Sequence, residues 1–137
     1  MIPIPPRMRR RAGAGTMVVP TFREVDEVIR KIPKGKVATV QLLGESLARK
    51  HRANIACTVT TGILASWSAS AAQEAEADGR KRIAPYWRVL KAGGELNAKY
   101  PGGIPSLTTR LRAEGHSIAR EGLHYRVEGY ETHLAKL

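Results

Sequence analysis

A chain of 137 residues, 42% of them hydrophobic, is long enough for one compact core and short for two. Its 23 Lys and Arg against 12 Asp and Glu give a formal charge of +11, which points to a polyanionic partner, nucleic acid first, although a basic surface also serves solubility alone. The single cysteine, Cys57, excludes an intramolecular disulfide and any Cys-x-x-Cys metal pattern and fits a reducing, cytoplasmic setting. No apolar run approaches the roughly 20 residues of a membrane span, and Met1-Ile2-Pro3-Ile4-Pro5-Pro6 breaks before a secretory leader can form.

Residues 1–19 carry three prolines, Arg7, Arg9-Arg10-Arg11 and Gly13-Ala14-Gly15, a composition that predicts a flexible basic arm ahead of one domain over 20–137. Such an arm reads equally as a source of phosphate contacts and as a solvated tail. Thr21 and Glu24 form a capping box, and Phe22, Val25, Val28, Ile29 and Ile32 recur at helical spacing, so a first helix is expected over 22–32. Pro33-Lys34-Gly35-Lys36 ends it. Thr39 is the expected N-cap of a second helix through Lys50, with Val40, Leu43 and Leu47 inward.

A third helix is expected over 58–76. Its large apolar residues Val59, Ile63 and Trp67 predict the buried face, which leaves Thr61, Ala65, Ser68 and Ala72 outside. An outer face so small and uncharged suits close approach to a groove; the alternative is that the rest of the domain covers both faces. The two helices and their short link form a helix-turn-helix pattern. Arg80-Lys81-Arg82 follow in a polar loop suited to gripping phosphates. Further on, His116–Arg120 and Leu123–Val127 flank Glu121-Gly122 as a small hairpin, and 130–137 reads as a last short helix packing through Leu134 and Leu137.

The stretch Pro85-x-x-Arg88-Val89, then Tyr100-x-Gly102-Gly103, then Leu111-x-x-Glu114-Gly115, preceded by Ile32-Pro33-x-Gly35-x-Val37-x-Thr39, resembles the DNA-binding domain of the alkylguanine-DNA alkyltransferases. The resemblance spans about residues 21–118. It implies an α+β, mainly helical, winged helix-turn-helix-like domain with a small C-terminal hairpin. In that family a cysteine thiolate takes the alkyl group from a flipped guanine, with a histidine relaying the proton and a glutamate orienting the histidine. Here Tyr86 stands at the acceptor position and Trp87 at the histidine position, and Glu114 alone matches. A phenol with a pKa of about 10 is protonated at neutral pH and an indole accepts no proton, so this triad does not support alkyl transfer. The family's base-rotating tyrosine and intercalating arginine fall at Val40 and near Val59, which puts base flipping in doubt.

Alkyltransferase-like proteins lack the acceptor cysteine, bind the lesion and pass it to excision repair, and the chain is most similar in kind to these. The resemblance therefore implies a non-catalytic protein; with no heptad or long apolar edge to argue for an obligate dimer it is expected to be a monomer, in the cytoplasm near the nucleoid. Its partners would be double-stranded DNA carrying alkylated guanine and excision-repair proteins, with no cofactor, metal or membrane. Tyr86, Trp87, Arg88 and Glu114 would line a lesion pocket, while Thr60, Thr61, Ala65, Ser68, Arg80, Lys81, Arg82, Gly102 and Gly103 would meet DNA. Three alternatives stand beside this. Tyr86 and Trp87 would simply fill the emptied pocket, in a general DNA-binding module; the domain would bind protein; or residual alkyl transfer would use Tyr86 or Cys57, a thiol at a helix start whose neighbours Ile55 and Ala56 favour burial. Arg88 reads as a phosphate contact or as a loop brace. The paired glycines Gly93-Gly94 and Gly102-Gly103 read as turns with positive φ, and His51, His116, His124 and His133 have no metal-ligand spacing.

Overall fold

The computed structural model describes residues 2–6 and 15–137. Among the described residues four α-helices carry the fold: α1 (Phe22–Arg30), α2 (Val40–Lys50), α3 (Thr58–Ala77) and α4 (Gly103–Ala113). The α+β, mainly helical architecture expected from the sequence is the one observed. Helix α1 starts as its sequence dictates, with the Thr21 hydroxyl accepting from the Glu24 amide at 3.3 Å and the Thr21 amide donating to Glu24 Oε1 at 3.2 Å. It packs against α2 and α3, which also pack on each other. Val25, Ile29, Leu43 and Leu47 are buried at their junction. Glu24 also ties α1 to the end of α2 through Lys50 at 3.2 Å and through His51.

Strands β1 (Ile2–Pro3), β2 (Thr16–Val18) and β4 (Ile55–Ala56) form a small sheet, antiparallel between β1 and β2 and parallel between β2 and β4. Of the arm expected over 1–19, residues 2–3 and 16–18 thus lie in a sheet. Ile4, Met17 and Val18 are buried, because Ile4, Met17 and Val18 supply apolar surface that the proline- and arginine-weighted composition obscured. The expected run Arg9-Arg10-Arg11, with Arg7 and Gly13-Ala14, lies outside the described residues.

Strand β3 (Ala38–Thr39), just before α2, pairs in parallel with β5 (Val89–Leu90), Ala38 opposite Val89 and Thr39 opposite Leu90. That pairing fixes the Pro85–Arg88 segment against the helix-turn-helix pair. The hairpin β6 (Ile118–Glu121) and β7 (His124–Val127) turns at Gly122, where φ is 61°, and Val127 reaches the core. The chain then closes through a 3-10 turn, Tyr130–His133, shorter than the expected helix. Leu134 bridges to Val37, and Leu134 and Leu137 pack on the core as anticipated. Among the described residues no helix is long and apolar enough to cross a membrane.

Candidate nucleic-acid interface and the Tyr86 cluster

Pro85 opens a single 3-10 turn, Tyr86–Arg88, and the Arg88 amide closes it on the Pro85 carbonyl at 3.0 Å. The turn sends Tyr86 inward and swings Trp87 and Arg88 towards the end of α4. Tyr86 is only 2% exposed. Its ring meets Trp87 edge-on at 5.4 Å between centroids and Tyr100 edge-on at 6.2 Å. Arg110, on α4, lies over both rings, 5.6 Å from Tyr86 and 4.6 Å from Trp87, and is anchored by Glu76 of α3 at 2.5 Å.

Glu114 is the hub of this cluster. It accepts the Trp87 indole N–H at 3.0 Å and the Arg88 guanidinium at 2.9 Å from Nε and 2.7 Å from Nη2. The remaining arm of Arg88 donates to the Ile32 carbonyl at 2.7 Å, so Arg88 braces the end of α1 and the motif loop together. Of the two roles left open for Arg88, it takes the structural one. Burial alone would raise the Glu114 pKa, but hydrogen bonds from Arg88 and Trp87, the Arg88 charge and the Gly35 amide together hold it below the ordinary carboxylate value. The Tyr86 phenol moves the other way: burial pushes it up, and the nearby Arg110 charge offsets only part of that.

Tyr86, Trp87, Arg88 and Glu114 thus form one cluster, in which Trp87 and Arg88 bond to Glu114 and Tyr86 packs edge-on against Trp87. The phenol is held neutral, the indole only donates, and the carboxylate is committed to Trp87, Arg88 and the Gly35 amide, so the four contain no nucleophile with a base beside it. Cys57 sits elsewhere, as the N-cap residue of α3, half-buried, with the Thr60 hydroxyl 3.3 Å from its sulfur.

Helix α3 runs over Thr58–Ala77 as expected but is turned the opposite way. Thr61, Ala65 and Ser68, expected to face DNA, are 0%, 1% and 0% exposed, and Ala72 is buried with them. Val59, Ile63 and Trp67, expected inside, are 67%, 48% and 59% exposed. Small residues face inward because α1 and α2 both lie against α3, and close-packed helices admit little more than a methyl group between them. The buried hydroxyls are satisfied, Thr61 Oγ1 donating to the Cys57 carbonyl at 2.8 Å and Ser68 Oγ to Asp26 at 2.6 Å. Thr60 is half-buried against Cys57.

Arg80, Lys81 and Arg82 are fully at the surface beyond the end of α3, and among the described residues none forms an ion pair. Gly102 and Gly103 begin α4 with φ of 81° and 63°; a side chain on Gly102 would lie 2.4 Å from Ser106 Cβ, which explains the glycine there without a nucleic-acid role. The sequence reading missed Arg110. Its signal was present, four residues before Glu114 and hence on the same side of α4.

No protein-family model matches the chain, and no curated sequence does. Among solved structures, S. pombe Atl1 in complex with damaged DNA containing O6-carboxymethylguanine is similar at 18% identity and a TM-score of 0.56, over 85% of this chain and 94% of that one. A structure of S. pombe ATL in complex with DNA is similar at 17% identity and a TM-score of 0.59, with the same shares of each chain covered. At this identity the likeness establishes the fold, the one expected from the alkyltransferase resemblance.

Proposed function

We propose that this chain is a non-catalytic DNA-binding protein of the alkyltransferase-like type, which senses alkylated guanine in duplex DNA and leaves it chemically unchanged. The observation that carries the reading is Tyr86: the acceptor position on a fold shared with DNA-bound proteins holds a buried, neutral phenol beside an indole that cannot accept a proton. A formal charge of +11 and the unpaired cations Arg80, Lys81 and Arg82 supply the attraction to phosphates. In this reading the protein works as a monomer in the cytoplasm, near the nucleoid, and hands the lesion to excision-repair proteins.

The test pairs affinity with mass. Fluorescence anisotropy with matched duplexes containing guanine or an O6-alkylguanine is expected to show tighter binding to the lesion. Mass spectrometry of the same mixtures is expected to show no alkyl gain on Tyr86 or Cys57. Equal affinity for both duplexes would make the chain a general DNA binder whose pocket is filled by Tyr86 and Trp87. A stoichiometric gain on either residue would overturn the non-catalytic reading.

A further inference from the structure

Two arginines lie against the indole of Trp87, the Arg88 guanidinium 5.4 Å and the Arg110 guanidinium 4.6 Å from the ring centroid. Their anchorage differs. Arg88 pairs with Glu114 at side-chain exposures of 13% and 7% and also donates to the Ile32 carbonyl, so it is fixed. Arg110 pairs with Glu76 at 27% and 46%. A pair that meets water is weak and exchangeable, whereas a buried one cannot part without stranding a charge.

Glu76 stands one turn beyond buried Ala72 on α3, at the rim of the cluster. The same helix end carries exposed Glu74 and Asp78, and exposed Arg80, Lys81 and Arg82 follow directly. Phosphates drawn to those three cations repel the nearby Glu76 carboxylate and offer Arg110 a bidentate partner in its place. A guanidinium is planar and stacks on an aromatic face as a nucleobase does, so Arg110 occupies a seat on Trp87 that also suits a base.

We propose that Arg110 and Glu76 form a latch over Trp87 that sets the preference for damaged duplex: a DNA phosphate takes Arg110 from Glu76, and the uncovered face of Trp87 receives the base that has left its stack. This rests on the lesion-binding reading and deepens it. An intact guanine that keeps its place in the duplex gains nothing from an open latch, so the cost of opening weighs only on the damaged duplex.

The experiment uses the full chain carrying Trp67→Phe, which leaves Trp87 as its one tryptophan. Acrylamide quenching of Trp87 reads the latch without DNA, and anisotropy with duplexes containing guanine or O6-methylguanine reads the preference. Glu76→Gln keeps the side-chain shape and removes the ion pair. Glu74→Gln removes the same charge from the same helix end, where Glu74 forms no ion pair among the described residues. Glu76→Gln is expected to raise the quenching constant about twofold and the ratio of lesion to guanine affinity about fivefold, the scale of a partly exposed ion pair with its stacking contact. Glu74→Gln is expected to tighten both duplexes equally and to leave quenching unchanged. Parent binding with Glu76→Gln indistinguishable from Glu74→Gln in both readouts would overturn the latch and leave the DNA-binding reading standing. A rise in quenching with the affinity ratio unchanged would overturn Trp87 as the seat of the base. Failure of the parent and of Glu76→Gln to bind either duplex would overturn the DNA-binding reading and the latch with it.

Discussion

The indole N–H of Trp87 donates to Glu114 Oε2 at 3.0 Å, so the position that the family resemblance assigns to a proton-accepting histidine is filled by a group that can only donate. Glu114 keeps its partner-orienting place, but what it orients is a brace. Through Arg88 it also reaches the Ile32 carbonyl, joining the end of α1 to the loop that carries Tyr86.

Glu114→Ala should therefore act on stability. Its carboxylate and the Arg88 guanidinium are both largely buried, at 7% and 13% side-chain exposure, and removing one partner strands the other charge. The expected cost is about 3–5 kcal/mol in urea unfolding. Trp87→Phe, which removes one hydrogen bond to a charged acceptor and keeps the Arg88 pair, should cost about 1.5–3 kcal/mol. Equal and small losses for the two would show that Glu114 does not organise the cluster.

Restoring a thiol should not restore transfer. Tyr86→Cys places a sulfur in a site whose neighbours are Trp87, Tyr100 and Arg110, with no base to take its proton. Tyr86→Cys with Trp87→His supplies that base, and it should accept an alkyl group from O6-alkylguanine DNA about 10²–10⁴ times faster than the single variant. The check is the rate of mass gain on residue 86.

The local signals in this chain were the readable ones. Thr21 and Glu24 marked the start of α1, Thr39 the start of α2, and the order of motifs from Ile32 to Gly115 marked the fold. Facing was another matter. For α3 the rule that large apolar residues point inward pointed the wrong way, because the depth available beneath the helix is set by how closely α1 and α2 approach, which no local window contains. The same limit hid β1 and β2: β2 pairs with β4 through residues far apart in sequence, Met17 opposite Ile55, and β1 adds onto the other edge of β2. It also hid the reach of Arg110 to Glu76 across two helices.

Acid should unfold the protein through groups that the fold holds ionised or neutral against their ordinary preference. Glu24, despite burial that opposes it, is pushed down to about 2 by His51, the Thr21 amide and Lys50, and Glu114 is lowered as well. Their stabilising contribution is complete above the ordinary 4.5 and is lost as pH falls towards 2. Urea midpoints should fall steeply in that window, and Glu24→Gln should flatten the fall.

His116 acts in the same direction at higher pH. It is 5% exposed, neither ring nitrogen has a hydrogen-bond partner, and it meets His133 edge-on at 5.2 Å. Burial, then the charges of His133 and Arg88, lower its pKa from 6.5, with Glu114 opposing. The unfolded chain then binds more protons than the folded one, so stability is full above 6.5 and declines as pH falls below it. His116→Phe should be similar in stability to the wild type at about pH 8 and more stable at about pH 5, since a phenyl ring has no proton to gain. An unchanged difference between the two pH values would remove His116 from the account.

The basic loop after α3 gives the sharpest electrostatic expectation. Each phosphate that a cation neutralises contributes about −0.9 to the slope of log affinity against log salt. If Arg80, Lys81 and Arg82 each hold one, replacing them singly with alanine should make the slope shallower by about 0.9 each time and weaken matched and damaged duplexes alike. Anisotropy titrations across a salt series check this. A slope that the three alanine variants leave untouched would mean that the charge on this loop faces solvent and that the phosphate grip lies elsewhere on the surface.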